Sequence, residues 1–313
     1  MCKNIEEIIV IFGPTASGKT ALSVELAKAL NAEIISADSA QIYREINVLN
    51  AKPTIEEQQK IRHHLLDFLK VCDTYSAADF CKDSTARIED IKKCGKNVII
   101  AGGTGLYISS LTNNIDFDAI PQVDKNIVKE LQRFAKTNGS AALHTELLCV
   151  DPRSAEKIHQ NDEFRIIRAL AHFKSTGETL TRAQARQRNS PSKFNFIKIG
   201  LEYKNRDVLY ERINKRVEVM LKSGAADEVE NILKLNPSQT AKNAIGISEI
   251  EKYINREISL EQATELIKQN SRRYAKRQIT WFKREEHTTW LNMCNLSLEN
   301  AVSEALKTVK QVI

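Results

Sequence analysis

Ile8-Ile9-Val10-Ile11-Phe12 is an unbroken apolar run, largely β-branched, followed at once by Gly13-Pro14. A run with no polar face reads as a strand buried on both sides of a parallel sheet. Similar runs cover 33–36, 97–101, 196–201 and 288–291. Between the early ones the spacing becomes helical, as in 21–30 with apolar residues at 22, 26, 29 and 30. Strands alternating with helices predict an α/β fold, a parallel sheet with helices on both faces.

The alternation lapses between about 119 and 191. Ile127, Leu131 and Phe134 recur at helical spacing, as do Phe164, Ile167, Leu170 and Ala171, with Gly177 as a stop. The polar, basic stretch 182–188 runs into Asn189-Ser190-Pro191-Ser192, a linker by composition. The strand pattern then resumes at Phe196. The expected organisation is a first part of the core over 1–118, an all-helical insertion over 119–192, and completion of the core with a helical C-terminal part over 193–313.

The chain has 313 residues, 42% of them hydrophobic, with only 11 Gly and 6 Pro, which suits a packed core and excludes a fibrous or disordered chain. No apolar run approaches the roughly 20 residues that span a bilayer. The start, Met1-Cys2-Lys3-Asn4-Ile5-Glu6-Glu7, lacks the apolar stretch of a secretion signal, so a cytoplasmic location without membrane association is expected. Six cysteines (Cys2, Cys72, Cys81, Cys94, Cys149, Cys294) form no CxxC or Cys/His pair, which predicts reduced, mostly buried thiols. A net charge of +6 is mild, and its distribution carries more meaning than its size.

Gly13-Pro14-Thr15-Ala16-Ser17-Gly18-Lys19-Thr20 fits GxxxxGK[ST] between a predicted strand and a predicted helix, the setting of a phosphate-binding loop. Glycines let backbone N–H groups close around phosphate oxygens, and the helix N-terminus adds positive potential. Lys19 supplies a point charge, and the Thr20 hydroxyl can ligate Mg²⁺. The loop specifies a di- or triphosphate without specifying ATP. Asp38 follows the second run, at the carboxyl edge of the sheet where open α/β folds bind ligands; it fits equally a helix cap or turn former. Gly102 and Gly103 permit close backbone approach and Thr104 presents a hydroxyl at the same edge, or the segment is a glycine turn opening a helix. Arg212 and Arg216 stand one turn apart on the amphipathic helix 207–221, placed to meet one anion or to be solvated. Between Glu265 and Glu285 seven bases (Lys268, Arg272, Arg273, Lys276, Arg277, Lys283, Arg284) and no acid interleave with Tyr274, Trp281 and Phe282, a pattern suited to RNA phosphates and base stacking.

These segments together resemble the tRNA isopentenyltransferase family. GPTASGKT at 13–20, SADSAQIY at 36–43, AKPT at 51–54, HLLD at 64–67, YSAADF at 75–80 and GGTGLY at 102–107 occur in the family's order. So do the DP…NDEFRIIRAL stretch ending at Leu170, AIG at 244–246 and RRYAKRQITWF at 272–282. The resemblance implies a P-loop kinase-like core whose helical insertion grips the anticodon stem-loop of tRNA. It implies transfer of a dimethylallyl group from dimethylallyl diphosphate to N6 of adenine 37, with release of diphosphate. It makes Asp38 the general base, and it has Lys19, Thr20, Thr104 and Arg216 handle the diphosphate with Mg²⁺. It places tRNA contacts at Asp38, Ser39, Ala40 and Gln41, at Thr104, at Phe164, Arg165, Ile166, Ile167 and Arg168, and at Asn243, Ala244, Ile245, Gly246, Ile247 and Ser248. Arg272, Arg273, Lys276 and Arg277 join them, and a monomer is expected. The chain departs from the family's pattern at 45–50, where glycines and a threonine are usual, at Val128, where an arginine is usual, and at Ile247-Ser248. A P-loop kinase would use the loop and Asp38 but leave the basic helix idle; a non-catalytic RNA-binding protein would need neither.

Overall fold

A computed structural model describes residues 5–117, 123–187 and 192–312. Its sheet has six strands, β1 (Ile8–Phe12), β2 (Ala32–Ser36), β3 (His63–His64), β4 (Asn97–Gly102), β5 (Phe196–Glu202) and β6 (Thr288–Asn292). All neighbours pair in parallel, in the order β3-β2-β4-β1-β5-β6. The five predicted strands are present. The two-residue β3 gave no apolar run, because it is a polar His-His edge held by Ile34 and Ile35.

All five β1 side chains are buried, and they alternate between two cores. Ile8, Val10 and Phe12 join one face with Phe80, Tyr107, Val217 and Phe282. Ile9 and Ile11 join the other, with Leu22 and Leu26 of the helix Lys19–Leu30 and Ala305 and Val309 of the helix Leu298–Val312. Burial on both faces is why β1 can be apolar throughout; each such side chain contributes about 1.5–3 kcal/mol.

The chain forms two compact units, Met1–Thr112 with Phe194–Ile313, and Asn113–Lys193. The described part of the second unit is helical: Lys125–Asn138, Ser140–Val150, Pro152–Lys157, Glu163–Thr176 and Leu180–Gln187. Leu131, Leu143, Leu147, Ile166 and Leu170 fill its core, and Val128 packs against them. Phe134 and Phe164, expected on the inner faces, are instead exposed, because Ala135 and Ile166 take the inward positions. Residues 182–187, the polar, basic stretch, belong to the last of these helices; of the expected linker 189–192, residues 189–191 lie outside the described residues.

Asp151 explains the Asp-Pro pair. Its buried carboxylate accepts hydrogen bonds from the backbone and hydroxyl of both Ser154 and Thr181, joining two helix starts. Burial raises the carboxyl pKa, but those donors outweigh it and the net shift is downward. The five described cysteines are free, as expected, but none is buried: Cys72, Cys94 and Cys149 are exposed, and Cys81 and Cys294 are half-buried. Cys94 ends a helix and Cys149 lies on a helix outside the buried positions, which explains their exposure. Cys2 lies outside the described residues. No helix among the described residues is long and apolar enough to cross a membrane.

Candidate active site

The turn between β1 and the helix Lys19–Leu30 is bent at Ala16 (φ 61°) and Gly18 (φ 93°). Gly18 caps that helix without a side-chain hydrogen bond, so the first-turn N–H groups are left for an anion. A Cβ on Gly13 would sit 2.8 Å from the Leu201 carbonyl oxygen, which accounts for glycine there. Lys19 Nζ donates to the carbonyls of Gly13 (3.0 Å) and Pro14 (2.7 Å), curling over the loop. Burial lowers the Lys19 pKa to about 8, with Asp38 opposing and Arg216 reinforcing the change. The Ser17 hydroxyl is buried without a partner, a polar atom inside the loop that an incoming ligand could satisfy.

Asp38 follows β2, in the turn after the strand. Its Oδ1 accepts from the N–H groups of Ala40 (3.0 Å) and Gln41 (3.4 Å), so it forms the turn, and it also lines the crevice above the sheet. The turn is pressed onto the end of β4, where a Cβ on Gly102 would lie 2.1 Å from the Ala37 carbonyl oxygen. Thr104 Oγ1 accepts from Ser39 N–H (2.8 Å) and donates to Ser39 Oγ (3.2 Å). Thr104 thus buttresses the Asp38 turn.

The helix Arg206–Lys222 sends two arginines to the loop. Arg212 Nε donates to the Ala16 carbonyl (2.9 Å). Arg216 donates to the Thr15 hydroxyl (3.2 Å) and to the Asn50 carbonyl (2.8 Å). Burial lowers the Arg216 pKa, and Asp38 and Glu57 oppose that. The strap before Asn50 is fixed by Glu228, whose carboxylate accepts the successive N–H groups of Asn47, Val48 and Leu49 at 2.8–2.9 Å. The departing segment 45–50 is therefore a backbone nest filled by an acid of the same chain. Leu49 packs so closely on Gly246 that a Cβ there would meet it at 2.4 Å.

Two hollows open around these groups. One, of about 640 Å³, runs along the phosphate loop. The other, of about 380 Å³, has apolar walls that include Ile213, Val217 and Ile267. Thr15, Asp38, Arg216, Met220 and Tyr274 line both, so the carboxylate stands where the hollows meet.

The remaining candidates divide. Asn243, Ala244 and Ile245 line the smaller hollow, and Ser248 lies on an adjoining surface groove. Gly246 adopts φ 107° and starts the next helix. Ile247, however, is in the core, so its side chain cannot meet RNA. In the second unit Phe164 (77% exposed), Arg165 and Arg168 face outward, whereas Ile166 and Ile167 are buried. On the helix Leu260–Phe282, Arg273, Lys276 and Arg277 are exposed; Arg272 donates to Asn214 Oδ1 (2.6 Å), and Lys268 pairs with Glu218 and Glu265. Two of the three aromatics expected to stack on bases, Trp281 and Phe282, are used elsewhere. Phe282 stacks on Phe12 at 4.7 Å, Trp281 donates to Ser109 Oγ (2.8 Å) against Gly105, and the Tyr274 ring lines the hollows with the Arg277 guanidinium 5.8 Å from its centroid. Phe282 and Trp281 serve the core because the apolar stripe of this helix faces the sheet, whereas Tyr274 stands at the hollows. That stripe, Ile267, Tyr274, Gln278 and Phe282 at helical spacing, carried the overlooked signal: a glutamine on an apolar face. Met220 and Glu228 were also missed, the one reading as ordinary core and the other as a first-turn acid.

Comparison with known proteins bears on the whole chain. A family model described as IPP transferase matches residues 41–285. The tRNA dimethylallyltransferase of Acetivibrio thermocellus is 42% identical over 306 residues, 97% of each chain. That of Caldanaerobacter subterraneus subsp. tengcongensis is 45% identical over 288 residues, 91% of each. Among solved structures, the full-length tRNA isopentenylpyrophosphate transferase of Bacillus halodurans is 37% identical with a TM-score of 0.73, covering 98% of this chain and 97% of its own. A eukaryotic dimethylallyltransferase acting on tRNA is 27% identical with a TM-score of 0.79, covering 96% and 78%.

Proposed function

The chain belongs to the IPP transferase family, and on that footing we propose that it moves a dimethylallyl group from dimethylallyl diphosphate to N6 of adenine 37 in tRNA, releasing diphosphate. The observation that carries the reading is the meeting of two hollows at Asp38, Thr15 and Arg216. A donor lying on the phosphate loop and a base entering the other hollow would bring their reacting atoms together at one carboxylate.

The exocyclic amine of adenine is a weak nucleophile, because its lone pair is delocalised into the ring. Asp38 accepts its proton as the N6–C1 bond forms and the C1–O bond to diphosphate breaks. Lys19, Arg216 and the N–H groups opening the helix Lys19–Leu30 take up the charge that grows on the departing diphosphate. The apolar part of the smaller hollow's wall, Ile213, Val217 and Ile267, would limit the water that can reach the allylic carbon. To reach it, the adenine leaves its stack.

The described residues hold no group of three or more His, Cys, Asp or Glu side chains that could cage a metal. They do fit Mg²⁺ shared with a diphosphate: Thr20 offers a hydroxyl at the helix start, and Ser17, whose hydroxyl has no partner, lines the same hollow. When bound, the ion adds positive charge opposite the leaving oxygens.

The anticodon stem-loop is the part of tRNA proposed to bind. Phe164, Arg165 and Arg168 in the helical unit, and Arg273, Lys276 and Arg277 on the long helix, supply cations and one exposed ring. A monomer in the cytoplasm completes the proposal. The test is mass spectrometry of unfractionated tRNA after incubation with enzyme, Mg²⁺ and dimethylallyl diphosphate. One added prenyl unit on adenosine is expected; unmodified tRNA together with label transfer from ATP to a small acceptor would overturn it in favour of a kinase.

A further inference from the structure

Gln278 lies in the acid-free stretch of the helix Leu260–Phe282, yet it is 5% exposed and cannot serve as an RNA contact. A buried carboxamide is costly unless its donors and acceptor are satisfied. Here Oε1 accepts the Thr15 N–H at 2.8 Å and Nε2 donates to the Gly103 carbonyl at 2.8 Å. One side chain therefore ties the phosphate loop after β1 to the turn after β4. That turn carries Thr104, which holds Ser39 and with it the Asp38 turn. The fit is tight, since a Cβ on Gly103 would lie 2.5 Å from Nε2.

One turn earlier on the same helix, Tyr274 lines both hollows. Burial raises its hydroxyl pKa most and the Asp38 carboxylate adds to this, while hydrogen bonds to Thr104 and Gln278 act against it. Thr15 is thus pinned twice, at its backbone by Gln278 and at its hydroxyl by Arg216. Both anchors come from helices outside the loop, so the loop's shape is set before any anion arrives.

We propose that Gln278 is a positioning residue for the transfer reaction, fixing the phosphate loop relative to the Asp38 turn through Thr15 on one side and Gly103 on the other. This rests on the reading that 13–20 hold the donor's diphosphate. A preformed loop binds its anion without first being ordered, and it holds the leaving group at a constant distance from the base.

Two variants probe it by different routes. Gln278→Met keeps the length and apolar bulk of the side chain but removes the amide. Gly103→Ala keeps the amide and displaces its Nε2, the movable end of a side chain, so it stays foldable if Gln278→Met does not. Calorimetric titration with inorganic diphosphate and Mg²⁺ should show affinity about tenfold weaker in each, the scale of one buried hydrogen bond. The KM for dimethylallyl diphosphate should rise and kcat fall while the KM for tRNA stays near the parent's; the melting temperature should fall as well, since Thr15 N–H and the Gly103 carbonyl lose their partner, so affinity is read per folded molecule. A merely structural glutamine would lower the melting temperature and leave diphosphate affinity per folded molecule unchanged. Parental diphosphate affinity in either folded variant overturns the proposal. Failure of the unaltered protein to bind diphosphate would overturn the donor site itself, a separate result.

Discussion

Arg216 donates to the Thr15 hydroxyl at 3.2 Å, so a helix made late in the chain grips the phosphate loop made first. Its other nitrogen holds the Asn50 carbonyl, making the guanidinium a bridge between loop and strap. Arg216→Lys keeps the charge but loses the planar fork. The KM for dimethylallyl diphosphate should rise about tenfold to a hundredfold, as expected for a charged hydrogen bond. The KM for tRNA should hold, and an unchanged donor KM in steady-state assays would remove Arg216 from donor binding.

Asp38 serves the turn and lines both hollows, which dictates the choice of variant. Asp38→Asn keeps an oxygen for the Ala40 and Gln41 N–H groups but is no base. Its kcat should drop by about 10²–10⁴-fold, the usual worth of a general base, with diphosphate and tRNA affinities retained. A folded Asp38→Asn enzyme turning over near the parental rate would end the general-base assignment.

Lys19 sets a pH dependence. Burial, the leading cause, brings its pKa down from 10.5 to about 8. The folded value lies below the unfolded one, so between about 8 and 10.5 the unfolded chain binds more protons and stability rises with pH. Diphosphate favours the charged amine, so its binding near pH 8.5 should take up a proton. Calorimetry in two buffers of different ionisation heat reads that uptake directly. Identical heats, or uptake that persists in Lys19→Met, would place the proton elsewhere.

The helix Leu260–Phe282 separates its duties by face. Reversing Arg273 and Lys276 to Glu should raise the KM for tRNA and flatten the salt dependence of binding, by roughly 0.9 in log–log slope per phosphate contact on a duplex. Phe282→Ala should instead cost about 3–5 kcal/mol of stability by emptying a site against Phe12. Phe164→Ala should leave stability within about 0.5 kcal/mol, because the ring is already exposed. Urea unfolding beside tRNA titration distinguishes the three; a stable Phe282→Ala protein with weakened tRNA binding would restore the stacking role.

The strands were legible because β1, β2, β4 and β5 are largely buried and hence mostly apolar. The phosphate loop was legible because backbone geometry leaves few residue choices at Gly13 and Gly18. What sequence could not separate were two uses of one residue type. Phe164 and Phe282 both look apolar, yet one faces solvent and the other the sheet. Ile247 sits inside a segment expected to touch tRNA but fills the core. Gln278 reads as polar filler among cations until the Thr15 N–H and Gly103 carbonyl appear at its ends. Partners some 175 and 263 residues away in the chain leave no local trace.

The strand order also governs how the protein is made. β1 lies between β4 and β5, but β5 is synthesised only after the unit Asn113–Lys193. At about 5–20 residues per second, those roughly eighty residues take some 4–16 s to emerge. Through that interval β1 has no β5 to cover one of its edges, and an unpaired apolar edge is a template for association. A truncation ending before Phe196 would leave that edge open permanently, so the N-terminal piece alone is expected to aggregate rather than to behave as a minimal domain.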